Sequence, residues 1–298
     1  MMNVTLTPKS AVVLLAGLIS ARATGYLFTK FCFLEMEPLF VLACRNLIAV
    51  VVLLPFLYKH LLRMTLRDAV VGCGIGLLFT CTMVTEFFGL VTTDISVAAI
   101  LENTAIVMVP IIAAVVSRRL PNGWTLVCSL LALGGVVAMS WTGATLHLAV
   151  GEWLLLLAAF FYASSIVAMA RLTHGCDALL VGFFQIVTMG VLSLTGSFIF
   201  ESPSLPTQLL TYECLLYLAI VCSSFGFTLQ PLAQTYCSAE TAGILCALSP
   251  LIGMVLGVVV LGEPLTVLRI VGLVLILSAI LLYARVNNRP TASQTNRA

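Results

Sequence analysis

The feature that most constrains this chain is a succession of ten apolar runs, each about twenty residues long, parted by short polar or proline-containing breaks. They fall at about 9–29, 38–58, 69–91, 95–116, 123–141, 151–171, 178–200, 212–235, 239–261 and 266–285. A bilayer core about 30 Å thick takes about 20 apolar residues of helix, and the backbone groups inside it must pair within the segment. The pattern predicts an all-α polytopic membrane protein with ten transmembrane helices. Ten spans consume ~200 residues, which leaves a chain of 298 no room for a separate catalytic domain. Only 9% of the residues are charged, against roughly 25% in a soluble domain, so a soluble enzyme is excluded.

A net charge of +2 is too small and too scattered for a nucleic-acid partner. The expected partners are the lipid bilayer and a small-molecule substrate. Charge matters here by position. With the N-terminus in the cytoplasm, the inner connections hold Lys9, Lys59, Arg63, Arg67, Arg118, Arg119, Arg171, Arg285, Arg289 and Arg297, whereas the outer ones hold only Lys30 and Arg269. The bias of basic residues toward the cytoplasm predicts both termini inside a cell membrane, the inner membrane in a bacterium. Trp124, Trp141 and Trp153 stand at run ends, the headgroup level that amphipathic rings prefer. No small-residue cleavage site closes the first run, which reads as a retained helix. Residues 286–298 read as a disordered cytoplasmic tail.

The ten cysteines show no Cys-x-x-Cys spacing and read as small hydrophobes without a structural disulfide. His60, His147 and His174 fall in predicted loops and suggest no zinc site, and the serines form no nucleophile elbow. No cofactor, metal or enzymatic activity is expected.

A shift of 144 residues places Ala98, Ile100 and Leu101 on Ala242, Ile244 and Leu245, and Arg119 on Glu263. Five spans per copy is an odd number, so the second copy enters the bilayer from the opposite side, the inverted-repeat plan of many secondary transporters. The predicted fold is two inverted five-helix repeats, residues 1–145 and 146–285.

The second half carries the string Ala233-Gln234-Thr235-Tyr236-Cys237-Ser238-Ala239, then Leu248-Ser249-Pro250, then Leu261-Gly262-Glu263-Pro264-Leu265, and the second run of the first half carries Arg45. With these residues the chain resembles, over nearly its whole length, the EamA-type branch of the drug/metabolite transporter superfamily. The resemblance implies a ten-helix carrier of small metabolites, amino acids or drugs, usually an exporter. Arg119 stands where that family has a Glu, and Ile106 where it has a Pro.

Four ionisable residues sit inside predicted spans: Arg22, Arg45, Glu86 and Glu102. Each costs about 2.5–3.5 kcal/mol at a helix centre on insertion scales, so each is expected to face the bundle interior. Each lies six to eight residues from an outer helix end, roughly 9–12 Å at 1.5 Å per residue, which predicts one shared charged layer. The second-half counterparts are neutral. Gln230 falls on Glu86, Cys246 on Glu102, Gln185 beside Arg45 and Ser164 near Arg22, and Gln234 lies one turn from Gln230. A charged outer half and a neutral polar inner half of one path follow. Tyr162, with Tyr26, Phe87, Phe88, Phe160 and Phe227, is a candidate floor for that path, against the alternative that such rings face lipid. The candidate substrate-binding residues are Arg22, Arg45, Glu86, Glu102, Gln185, Gln230, Gln234 and Tyr162. For Arg45 the alternative is a structural pairing with Glu35, Glu37 or helix-end carbonyls, and for Arg22 simple neutralisation of Glu86. Gly72 to Gly76 and Gly253 to Gly257 have the spacing that lets membrane helices approach closely, and Pro110, Pro231 and Pro250 are candidate kinks.

These readings predict a carrier that exports amino acids or similar small amphiphilic metabolites by alternating access. A proton-coupled exporter of cationic drugs is the alternative within the carrier class. A membrane scaffold or pore subunit is the alternative outside it, disfavoured because a scaffold needs no buried charge and a pore calls for rings of like charge or filter loops.

Overall fold

The computed structural model describes residues 7–93, 101–118, 120, 122–140, 150–249, 251–252 and 266–287. All elements among these residues are helical. The first run forms α1 (Pro8–Ala23) and α2 (Gly25–Cys32), followed by α3 (Pro38–Leu61) and α4 (Leu66–Thr92). The chain continues through α5 (Ala105–Ser117), α6 (Gly123–Ser140), α7 (Val150–Leu172) and α8 (Ala178–Phe200). The eighth run is α9 (Leu209–Tyr217), a π-helical segment Leu218–Phe227, and α10 (Thr228–Thr235); α11 (Ala239–Leu245) and α12 (Val267–Asn287) complete the described chain. Arg119, His147, Trp141, Pro250, the Gly253–Gly257 pair, Glu263 and residues 288–298 lie outside the described residues, and α12 runs on through Val286 and Asn287, the first two residues of the expected tail. Among the described residues, six stretches are long and apolar enough to cross a bilayer: Lys9–Thr29, Pro38–Leu61, Leu66–Thr92, Val150–Leu172, Ala178–Phe200 and Leu209–Thr235. Ala105–Ser117, Gly123–Ala138 and Ile270–Tyr283 are shorter apolar helices.

Helix starts follow the side chains that satisfy their free amides. Thr65 and Asp68 form a capping box on α4, Asp177 caps α8 through Leu179 N, and Ser238 caps α11 through Thr241 N. Two expected helices are broken. The first is interrupted at Thr24, whose hydroxyl donates to Ala21 O at 2.6 Å and also meets the Tyr217 hydroxyl at 2.6 Å. The eighth relaxes into a π-helix just before Pro231, which has no N–H to give the Phe227 carbonyl one turn earlier. Leu101 and Glu102 are helical and a turn at Asn103 and Thr104 separates them from α5, so the expected 95–116 run is interrupted there, and residues 94–100 lie outside the described residues. His60, expected in a loop, occupies the last turn of α3.

The packing pairs the two halves. α3 lies on α8, and α6 lies on α12. α4 packs against α7 and α8, and the π-helical segment packs against α3 and α2. The α4–α8 approach depends on the predicted glycines: a Cβ on Gly72 would lie 2.8 Å from Val181 O, and one on Gly76 2.8 Å from Gln185 O. Apolar side chains stand exposed along the helices, among them Val13, Val51, Val70, Val115, Phe198 and Val274, a surface suited to lipid chains rather than water.

Loops of each half grip helix starts of the other at both ends of the bundle. At one end Glu201 accepts from Leu39 N (2.8 Å) and Phe40 N (3.0 Å), and Glu35 accepts from Thr207, Gln208 N and Thr211. At the other end Asp68 accepts from Asp177 N (2.9 Å), Arg67 donates to His174 O (3.1 Å), and His60 Nδ1 meets Asp177 Oδ2 at 2.5 Å.

Candidate functional site

Arg22 lies in the last turn of α1, beside the π-helical segment, and its guanidinium donates to Gln230 Oε1 at 2.9 Å. Its carbon sits 4.2 Å from the Phe227 ring centroid, 5.7 Å from Tyr162 and 5.9 Å from Phe79. A desolvated cation–π contact contributes up to ~2 kcal/mol, enough to help offset the cost of burying the charge. Arg45, 5% exposed, reaches the same ring from α3 at 5.9 Å. Its Nε donates to Ser223 Oγ at 3.0 Å, Ser223 donates to Asn46 Oδ1 at 2.9 Å, and Asn46 donates to Leu42 O at 2.9 Å.

All four ionisable residues border one cavity of about 50 Å³, with Arg22, Arg45 and Glu86 joined there by Glu102 and Asn103 at the turn before α5. Tyr162, Phe227, Phe87 and Met83 supply apolar walls, and Cys246 and Ser249 close it from beyond α11. Cys246 Sγ donates to the Tyr162 hydroxyl at 3.6 Å. At ~10–15 Å³ per water centre the space takes roughly four waters. Chemically the site offers two guanidinium forks, two carboxyl groups and an aromatic wall, a set able to read a carboxylate and a cation on one small molecule.

Several expectations change in this geometry. Arg45 does not pair with Glu35 or Glu37; Glu35 is taken by Thr207, Gln208 and Thr211 at the bundle end, while Arg45 turns inward to Ser223 because the α3–π-segment contact lies beside it. Gln230 and Cys246, assigned to a separate neutral layer, share the charged cavity's surroundings, since Arg22 bonds Gln230 and Cys246 lines the cavity. Gln185 and Gln234 are fully buried outside that lining. Both amide atoms of Gln185 and the amide oxygen of Gln234 meet no hydrogen-bond partner among the described residues, a costly state for buried polar groups. Ser164 returns its hydroxyl to Phe160 O on its own helix. Phe88 and Phe160 are exposed on the apolar surface. Nothing is described of the Tyr26 side chain.

Sequence reasoning missed Ser223, Asn46 and Phe79. A polar pair beside Arg45 and the Ser223-Ser224 pair in the middle of an apolar run were the available signals, because unpaired hydroxyls and amides are disfavoured in hydrocarbon. Phe79 carried none; a ring on an apolar run is indistinguishable from packing until its neighbours are known.

Long apolar helices around a buried charged cavity define an integral membrane protein of the transporter class. The sequence matches the model of the EamA-like transporter family twice, over residues 9–141 and 149–285. The chain belongs to the EamA-like transporter family, and so to the membrane transporters of the drug/metabolite superfamily, which carry small molecules. A search of curated proteins finds no match. Among solved structures, a crystal structure of a protein matches with a TM-score of 0.77 at 17% identity, covering 94% of this chain and 96% of that one. That likeness is one of fold.

Proposed function

We propose that the protein exports amino acids or similar small amphiphilic metabolites by alternating access. In this reading, ten spans form two inverted repeats, residues 1–145 and 146–285, with both termini cytoplasmic and 286–298 as a tail. The membrane is a cell membrane, the inner one in a bacterium. The observation that carries the reading is the convergence of Arg22, Arg45, Glu86 and Glu102 on one cavity lined from both halves. A guanidinium reads the substrate carboxylate and Glu86 or Glu102 its ammonium group, with Gln230 and Tyr162 beside them. Rocking one repeat against the other exposes this cavity to the two sides of the membrane in turn. Gln185 and Gln234 belong to the path in the alternate state, where water or substrate pairs the amides that are buried without described partners here.

The test is counterflow in proteoliposomes with the twenty labelled amino acids, for wild type and Arg22→Gln. At least one amino acid is carried by wild type and lost from Arg22→Gln at equal protein incorporation. Unaltered transport of every carried amino acid by Arg22→Gln overturns the carboxylate-reading role.

The second reading, a proton-coupled exporter of organic cations, is favoured by the three aromatic rings that surround a guanidinium at 4.2–5.9 Å. Uptake of labelled cations and amino acids with and without a pH gradient separates the two. A gradient-driven cation flux abolished in Glu102→Gln puts the second reading first.

A further inference from the structure

Both guanidinium groups of the cavity are held by one short stretch, the π-helical segment Leu218–Phe227 and the residues just after it. Ser223 takes Arg45, the Phe227 ring lies 4.2 Å from the guanidinium carbon of Arg22 and 5.9 Å from that of Arg45, and Gln230 takes an N–H of Arg22. Gly226 makes the Arg22 seat sterically available. A Cβ built there would lie 2.8 Å from Cγ and 3.0 Å from Cδ of Arg22, so the arginine stem crosses bare backbone to reach the ring. A ring neutralises none of a guanidinium's N–H groups, so Arg22, with one N–H on Gln230, carries others in the guanidinium plane, from which a carboxylate accepts two parallel bonds. π-Helical turns recur at functional sites, and this one presents hydroxyl, bare backbone and ring on the side where α1 and α3 bring their arginines.

We propose that the π-helical segment is the specificity-determining element of the binding site for a carboxylate-bearing substrate, and that Gly226 is a positioning residue that seats Arg22 against Phe227 and Gln230. This rests on the carrier reading above, in which Arg22 reads the substrate carboxylate. Gly226→Ala separates position from presence: Arg22 stays in the chain, but its stem is lifted off the segment. The close contact is to the middle of a flexible side chain, so the arginine yields rather than the backbone. Gly17, on the same helix as Arg22, has nothing within 4 Å of its Cβ position, and Gly17→Ala is the matched control for a glycine-to-alanine change.

Two readouts are used on the full chain. The first needs no substrate: phenylglyoxal labelling of Arg22 in detergent, mapped by mass spectrometry. Labelling at position 22 rises at least threefold in Gly226→Ala and in Phe227→Leu, and stays at the wild-type rate in Gly17→Ala. Equal rates in wild type, Gly226→Ala and Phe227→Leu overturn the seat. The second is proteoliposome counterflow with the labelled amino acids that wild type carries. Gly226→Ala raises KM at least fivefold with maximal rate within twofold, and adds nothing further in an Arg22→Gln background. If Arg22→Gln impairs transport while Gly226→Ala leaves KM unchanged, the positioning role fails alone. If Arg22→Gln transports as wild type does, the carboxylate-reading role fails, and the labelling result still decides the seat.

Discussion

At the end of the bundle that carries Glu35 and Glu201, each carboxylate works separately: Glu201 covers two amides at the start of α3, and Glu35 covers Thr207, Gln208 and Thr211 at the start of α9. At the end that carries His60 the same kind of grip between halves is concentrated in one network. Asp68 holds Thr65 N and Thr65 Oγ1 at 2.8 and 2.7 Å and also Asp177 N, while Asp177 caps α8 and meets His60. Pro38 at the first position of α3 brings no N–H and Glu37 makes no cap, so α3 borrows its cap from the other half. α4 carries its own capping box and uses the spare oxygen of Asp68 as the link. One topological contact is thus built by two chemistries, isolated acceptors on backbone amides against a shared acidic hub.

That comparison predicts a ranking. Asp68→Ala removes three hydrogen bonds from a side chain only 4% exposed and is expected to cost about 2–3 kcal/mol, read from the unfolding midpoint of the full chain in mixed micelles. A loss smaller than that of Glu201→Ala breaks the hub description. Glu201→Ala leaves Leu39 and Phe40 uncapped and is expected to cost about 1–2 kcal/mol. Asp177→Asn keeps an oxygen for Leu179 N but removes the charge opposite His60; both side chains are partly exposed, at 41% and 34%, so about 0.5 kcal/mol is expected. A cost above that of Glu201→Ala shows that the His60 pair, rather than the Asp68 links, carries the grip.

The smallest effect sharpens the comparison within one end. Hydrogen bonds from Thr207 and Thr211 hold the Glu35 carboxyl below the ordinary value of 4.5, so its stabilising share is present above that value and fades as pH falls through the lowered one. Burial raises the Glu201 carboxyl against the pull of the Leu39 and Phe40 amides; its share is full below 4.5 and is lost as pH rises through the raised value. On acidification from neutral pH, the stability difference between wild type and Glu35→Gln narrows, whereas that between wild type and Glu201→Gln shifts in favour of wild type. Parallel pH trends in the two variants would contradict the assignment.

Much of the helical plan was legible from run length, and the glycines at 72 and 76 were legible from their spacing alone. The internal breaks were less so. The first run is interrupted at Thr24, whose hydroxyl returns to Ala21 O and meets Tyr217, and a threonine inside an apolar run carries no mark of that partner. Pro231 announced an irregularity, but not that it would extend back as a π-helix over Leu218–Phe227. In the site, the four charges were legible one by one, because each is expensive in hydrocarbon. Their partners were not: the division into a charged and a neutral layer failed once Gln230 was found beside Arg22.

The sequence by itself determined that this chain is a helical membrane protein with a few buried charges, since the hydrophobic length and the cost of an ion in hydrocarbon are properties of the residues and the bilayer alone. Only the tertiary structure decided that Arg45 belongs to Ser223, 178 residues away, that both guanidiniums come within 6 Å of the Phe227 ring, and that the Arg22 stem lies against the bare backbone of Gly226. Those are outcomes of which helix faces meet, and hydropathy, being nearly uniform around these helices, leaves that choice to close packing and to the few polar groups that must find one another.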